Sequence, residues 1–331
     1  MPTAREKRRE KMNILEVVLP WVVLIVGLVL LIKGADWFVD GASGLAKRMG
    51  VSPLVIGLTI VAFGTSAPEA AVSITSALKD SGGIALGNVV GSNLFNLLVV
   101  VGGCALFRPA QIDKSIIKKD FPYSILATIV LLCGMFDAIM GDGAAMVSRS
   151  DGLMVLAFFL IFMYYTVTSA IGEKSEEDEN KEKVALPKLI IMLLIGLAAI
   201  IGGGQIVVNG ASDVARAFGV SETLIGLTIV AVGTSLPELV TSIVATRKGE
   251  DNIAIGNVVG SNIFNILFIV GIGSAIRGIP VDGVIITDTI ILLAICTAFY
   301  AYIARKRTVS RNAGIVMVIT YIAYMMYAIL R

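Results

Sequence analysis

Histidine is absent from this chain of 331 residues, and the absence closes off several chemistries at once. Without it there is no His-ligated zinc or haem, no HExxH protease and no serine–histidine nucleophile. The run Gly41-Ala42-Ser43-Gly44 looks like an intramembrane serine protease elbow, but Ser43 has no imidazole to activate it. Close helix packing through small residues explains it better. Gly141-Asp142-Gly143 is a weak match to an intramembrane aspartyl protease; with no partner motif it reads as a turn. Cysteine is nearly as scarce. Cys104, Cys133 and Cys296 stand apart in apolar surroundings, with no CxxC spacing and no disulfide framework. Charge is also thin, at 16% of residues and a net +2, so no basic excess points to nucleic acid. These gaps leave no enzyme, no resident cofactor and no nucleic-acid partner to expect, and they name no protein partner.

What the chain has instead is apolar length. Residues are 56% hydrophobic and the mean hydropathy is +0.87, values that point to a lipid bilayer as solvent. Ten apolar stretches are expected to span it: 14–46, 52–78, 83–107, 120–139, 152–171, 189–215, 221–246, 252–276, 284–304 and 312–330. The chain also repeats itself. Gly57 to Leu97 aligns without a gap on Gly226 to Ile266, 169 residues later, with 25 of 41 positions identical. The same offset carries Gly34-Ala35-Asp36 through Asp40-Gly41-Ala42 onto Gly203-Gly204-Gln205 through Asn209-Gly210-Ala211. The first span therefore belongs to the repeat and is not expected to be a cleaved signal peptide.

The expected fold is an all-α membrane protein of ten transmembrane helices in two inverted five-helix repeats, since an odd span count makes the second half enter from the opposite face. The segments are a basic N-terminal stretch 1–12, a first repeat 13–171, an acidic linker 172–188 and a second repeat 189–331. Loops after odd-numbered spans hold 16 lysines and arginines against 10 on the other side. By the positive-inside rule both termini are expected outside and the 172–188 loop in the cytoplasm. Five of those ten are Arg5, Lys7, Arg8, Arg9 and Lys11, a dissent that Met12 as the natural start would remove. The acids and lysines of 172–183 lack EF-hand spacing and read as a solvated linker.

Within the repeats, Gly64-Thr65-Ser66-Ala67-Pro68-Glu69 answers Gly233-Thr234-Ser235-Leu236-Pro237-Glu238. A charged carboxylate at membrane depth costs about 2.5–3.5 kcal/mol or more, which makes each glutamate a functional candidate. The helical proline removes an N–H and crowds the carbonyl four residues back, loosening the backbone near Gly64 and Thr65 and near Gly233 and Thr234. Thr65 and Glu69 share a helix face, as do Thr234 and Glu238. Ala62 and Ala231 lie about one turn earlier, where they can offer backbone oxygen. The next span adds Asn88, Ser92 and Asn96 on one stripe, repeated by Asn257, Ser261 and Asn265. Carboxylate, hydroxyl, amide and carbonyl oxygens are hard ligands that suit calcium, sodium or magnesium. Magnesium sheds its water reluctantly, so a dry all-protein site favours calcium, with sodium as a competitor. Two carboxylates neutralise one divalent ion, and its departure leaves two like charges to be met by sodium or protons. Against this stand plainer readings. Gly87–Gly91 and Gly256–Gly260 are GxxxG packing motifs, and Ser66, Ser235, Ser73 and Ser242 can simply bond their own helices. Asp36, Asp40 and Asp213 can line an access path or sit at span ends.

At these residues the chain resembles the cation/calcium exchanger superfamily, and within it the prokaryotic sodium/calcium exchangers. The resemblance rests on the paired GTS-x-PE and GNVVGSN-x-FN motifs and extends, through span count and linker, over essentially the whole chain. It implies Glu69 and Glu238 as principal calcium ligands, with Thr65 and Thr234 adding backbone oxygen. Ser92 and Ser261, with Ala62 and Ala231, would complete flanking sodium sites, Asn96 and Asn265 would line the centre, and Ser66 and Ser235 belong to the same candidate set. Some relatives carry aspartate where this chain has Asn265, so the central charge here stays at two carboxylates. The resemblance further implies that the first and sixth spans slide to alternate access, and a place in the plasma membrane of a prokaryote. The expected function is an electrogenic sodium/calcium antiporter, with a proton/calcium exchanger as the alternative and a cation channel behind it.

Overall fold

The computed structural model describes residues 14–79, 82–140, 146–172, 184–220 and 231–331, with Ile225 and Ile229 between the last two stretches. The basic N-terminus, the Gly141–Gly143 turn and most of the acidic linker lie outside the described residues. The chain is helical almost throughout. Helix α1 is Ile14–Met49, α2 is Pro53–Thr65, α3 is Ala67–Leu78, α4 is Gly83–Phe107 and α5 is Phe121–Met140. After them come α6 (Arg149–Gly172), α7 (Leu186–Ala217), α8 (Leu236–Lys248), α9 (Asp251–Ile276), α10 (Gly283–Lys306) and α11 (Arg311–Leu330).

Seven of these, α1, α4, α6, α7, α9, α10 and α11, are long and apolar enough to cross a membrane, and the pair α2/α3, bent by 52°, makes an eighth. Of the two remaining expected spans, 120–139 falls on α5, and the start of 221–246 lies largely outside the described residues.

Burial runs opposite to that of a water-soluble protein. The centre holds α9, 94% of whose apolar window is enclosed, whereas α11 encloses only 11% of its own and turns Val316, Ile319 and Met326 outward. Among the polar side chains enclosed at 0% exposure are Ser66, Glu69, Asn96, Ser235, Glu238 and Asn265. An apolar exterior around a polar interior is the arrangement a hydrocarbon solvent selects.

Helices α1 and α7 are each other's repeat mates and pack antiparallel, through glycines seven residues apart. A methyl group on Gly27 would come within 2.8 Å of the Val207 backbone nitrogen, one on Gly34 within 2.8 Å of Ile200 N, and one on Gly41 within 3.1 Å of Leu193 N. The mates behave alike: Gly196 meets Phe38 N at 2.6 Å, Gly203 meets Leu31 N at 2.6 Å and Gly210 meets Leu24 N at 2.8 Å. Backbones this close tolerate no side chain, the small-residue packing of membrane helices. Gly41 is thus a packing residue, and the neighbouring Ser43 hydroxyl donates to Glu250 Oε1 at 2.5 Å.

Two short antiparallel ladders tie the halves together outside the helices. β1 (Ala110–Gln111) pairs with β4 (Thr308–Val309), and β2 (Met146–Val147) with β3 (Ile279–Pro280). Ion pairs add to this. Arg108 meets Asp251 at 2.7 Å, and Lys248 meets Asp40 at 2.7 Å and Asp36 at 3.5 Å. Asp36 and Asp40 therefore anchor α1 to the end of α8, while Asp213 pairs locally with Arg216.

Candidate ion-binding site

Proline breaks the helices where the motif places it. Ser66 leaves the helical region (φ −83°, ψ 7°) between α2 and α3, and Ser235 does the same (φ −94°, ψ 6°) ahead of α8. Each serine holds the N-cap position of the following helix, yet neither side chain makes a capping bond. Their hydroxyls reach across the repeat boundary instead. Ser66 Oγ donates to Glu238 Oε1 at 2.8 Å, and Ser235 Oγ donates to Glu69 Oε1 at 2.9 Å. Each glutamate sits in the first turn of the helix its own serine begins, and its carboxylate is held by the serine of the other half. A hydrogen bond to a charged group contributes about 1.5–3 kcal/mol, and the first-turn position adds favourable helix-dipole charge.

The remaining candidates close around this exchange. Ser92 Oγ lies 3.1 Å from Ser235 Oγ, and Ser261 Oγ lies 3.5 Å from Glu238 Oε1 and 3.4 Å from the Ala62 carbonyl. Thr65 donates to Asn257 Oδ1 at 2.9 Å, and the Asn257 amide donates to Ser242 Oγ at 3.0 Å. In the first half Asn88 donates to Ser73 Oγ at 2.9 Å. Thr234 lies near Glu69. The Thr65 hydroxyl is thus engaged within the protein. Ala231 lies in the three-residue helical segment Ala231–Gly233 just before the break.

Below the serines, α4 and α9 each widen into a single π-helical stretch, Asn96–Val100 and Asn265–Val270, starting at matching repeat positions. Such π segments concentrate at functional sites. Asn96 Nδ2 donates to Asn262 Oδ1 and Asn265 Nδ2 to Asn93 Oδ1, both at 3.1 Å. Asn93 and Asn262 are the residues that sequence reasoning missed. Their signal is the spacing in GSN-x-FN, which sets each one helical turn before the asparagine that was singled out.

Four oxygens at the heart of this network have no hydrogen-bond partner among the described residues: Glu69 Oε2, Glu238 Oε2, Asn96 Oδ1 and Asn265 Oδ1. All four side chains are fully enclosed, at 0% exposure. Unpaired buried acceptors cost free energy, and enclosed carboxylates most of all, so a network built only for stability would not leave these four open. Acceptor-only oxygens from two anions and two neutral amides suit a hard cation. Among the described residues no group of three or more His, Cys, Asp or Glu gathers. A hollow of about 870 Å³ lies elsewhere, beside Gln111, Lys114, Lys118, Glu250 and Arg307, and contains none of the candidate ligands in its wall.

Comparison with known proteins converges on one family. The family model described as sodium/calcium exchanger protein matches residues 19–168 and 188–330, and so covers both halves. The putative antiporter CaxA of Alkalimonas amylolytica is 38% identical over 314 residues, covering 91% of this chain and 96% of that protein. The sodium/calcium exchanger MaX1 of Methanosarcina acetivorans is 33% identical over 339 aligned positions, covering 92% and 97%. Among solved structures, the sodium-calcium exchanger NCX_Mj soaked with sodium and calcium superposes with a TM-score of 0.79 at 32% identity, over 94% of this chain and 98% of that one. With both repeats matched, and relatives aligned over nearly their whole length, this chain belongs to the sodium/calcium exchanger family.

Proposed function

We propose that the chain is an electrogenic sodium/calcium antiporter in which Glu69 and Glu238 hold a calcium ion that sodium ions replace, with access alternating between the two membrane faces. The observation that carries this reading is the reciprocal pair of serine–carboxylate bonds, which leaves one unpaired oxygen on each buried glutamate; Asn96 and Asn265 each keep an unpaired oxygen as well. Two carboxylates balance one divalent ion. Stripped of it, they are like charges in a low-dielectric interior, so the site crosses loaded with calcium or with sodium but not empty. The neutral oxygens of Ser92, Ser261 and Ala62 lie around the pair, and with the Ala231 carbonyl they would give monovalent ions more places than the two charges neutralise. A cycle that fills them moves net charge.

Ten spans in two inverted five-helix repeats, 13–171 and 189–331, complete the reading. Two features support it. Helices α1 and α7, equivalent by the 169-residue offset, run antiparallel. The β1–β4 and β2–β3 ladders each require an even number of crossings between their strands, which ten spans satisfy. The lysine and arginine count favours the cytoplasm for the face carrying β1 and β4, with both termini outside.

The test is calcium uptake into proteoliposomes driven in turn by sodium, potassium and proton gradients. An outward sodium gradient is expected to drive uptake, with a dependence on membrane potential. Equal uptake under a pH gradient without sodium identifies a proton/calcium exchanger, and calcium current without any counter-ion identifies a channel. Replacing Glu69→Gln or Glu238→Gln is expected to cut coupled uptake at least about a hundredfold, the scale of breaking a buried charged contact. Exchange that survives both replacements overturns the reading.

A further inference from the structure

The four asparagines at the repeat boundary do not contribute equally, and their bonding assigns different roles. Asn93 Nδ2 donates to the Asn262 main-chain carbonyl at 3.1 Å, and Asn262 Nδ2 donates to the Asn93 carbonyl at 3.3 Å. A carbonyl is acceptor-only, so it fixes which end of each amide faces it. Turning the Asn93 amide over would set its Oδ1 against the Asn262 carbonyl oxygen and lose that bond. With Nδ2 so committed, Asn93 Oδ1 is turned toward Asn265, and Asn262 Oδ1 toward Asn96. Those acceptors in turn capture the donor ends of Asn265 and Asn96. What remains on each is Oδ1, enclosed and unpaired.

We propose that Asn93 and Asn262 are positioning residues that set the polarity of the site, by holding Asn265 and Asn96 oxygen-inward beside Glu69 and Glu238. This inference rests on the reading of those four oxygens as the cation site. An amide is nearly symmetric in shape but not in charge. Reversed, it would present a donor NH2 to a metal ion, so a site lined by asparagine needs something to choose its face. Aspartate needs no such device, since both of its oxygens are acceptors. The relay is thus the companion of having asparagine at both position 96 and position 265. It is also crossed: each half's orienting residue acts on the other half's ligand, so the two ligands keep their polarity only while the halves stay in register.

The test is a double-mutant cycle on the full-length protein in proteoliposomes, reading the calcium concentration for half-maximal sodium-driven uptake. Asn93→Leu removes both ends of the orienting amide and is expected to weaken apparent calcium affinity about tenfold, the scale of one hydrogen bond at a buried site. Asn265→Leu removes the ligand itself. If Asn93 acts through Asn265, adding Asn93→Leu to Asn265→Leu changes affinity less than about twofold further. The mirror cycle of Asn262→Leu with Asn96→Leu is expected to behave alike. An undiminished tenfold loss in the Asn265→Leu background overturns the proposal, because a role in packing alone would persist there. Should Asn93→Leu not fold, Asn93→Ser replaces it in the cycle with the same two outcomes. Failure of the parent reading looks different, as exchange that persists with both glutamates neutralised.

Discussion

Ser66 and Ser235 occupy the position where a helix ordinarily spends a serine on its own first turn, at a gain of about 1 kcal/mol. Here that gain is forgone, since neither side chain makes a capping bond and both hydroxyls go to the opposite glutamate. The consequence is a separation of effects. Ser66→Ala removes no cap, so the expected fall in thermal midpoint is that of the lost Glu238 bond alone, a few degrees at about 1.5–3 kcal/mol. Its apparent calcium affinity is expected to fall about tenfold or more, the scale of a charge-assisted hydrogen bond. Ser235→Ala is expected to lose more, because Ser92 also leans on that hydroxyl. Thermal unfolding together with calcium-dependent uptake of the two variants checks this. A large fall in midpoint with unchanged affinity would make the serines structural. The residues themselves were legible in the sequence, because a duplicated carboxylate after a proline in an apolar run is conspicuous. Their partners were not. Sequence spacing gives the helix face a side chain occupies, and it says nothing about which half's serine that face meets.

At the scale of elements, the α1–α7 contact offers a contrast one residue wide. A methyl group on Gly203 would stand 2.6 Å from the Leu31 backbone nitrogen, whereas one on the adjacent Gly202 meets nothing within 4 Å. Gly203→Ala must therefore push two helix backbones apart, at a cost of about 1–3 kcal/mol, while Gly202→Ala adds a better helix former in open space. The expected result is a clear fall in thermal midpoint for Gly203→Ala and none for Gly202→Ala. Both glycines lie in one GGG run, and only the packing separates them. The charge anchor on α1 escaped the sequence for a similar reason. Lys248 meets Asp36 and Asp40, but the repeat offset carries those acids onto Gln205 and Asn209, which bond each other at 3.0 Å. One member of the pseudo-symmetric pair is thus tied to α8 by ion pairs, while the matching amides of the other bond only within α7, an asymmetry visible only once Lys248 is placed in space. Being partly exposed, the anchor is worth no more than about 1 kcal/mol. Lys248→Gln is expected to lower the thermal midpoint by about 2 °C at low salt and by less at high salt, where the pairs are screened.

The chain carries one sequence plan twice, 169 residues apart, and the ladders outside the helices turn that plan into a question of sidedness. Gln111 and Thr308 are register partners in β1–β4, whereas Met146 belongs to the β2–β3 ladder. Gln111 and Met146 are exposed and Thr308 is half-buried. On the ten-span reading proposed above, β1 and β4 share one face and β2 and β3 the other, and the excess of basic loops favours the cytoplasm for the first. Cys133 is exposed and Cys104 and Cys296 are buried, so single probes belong in a background with all three replaced. In intact cells an impermeant maleimide is expected to label Met146→Cys while sparing Gln111→Cys and Thr308→Cys, and to label those two only after the membrane is opened. Labelling of Gln111→Cys and Thr308→Cys from opposite faces would break the even crossing count and with it the inverted repeat. Labelling of both from outside would keep the repeat and reverse its orientation, so that the lysine-rich loops face out and the positive-inside argument fails.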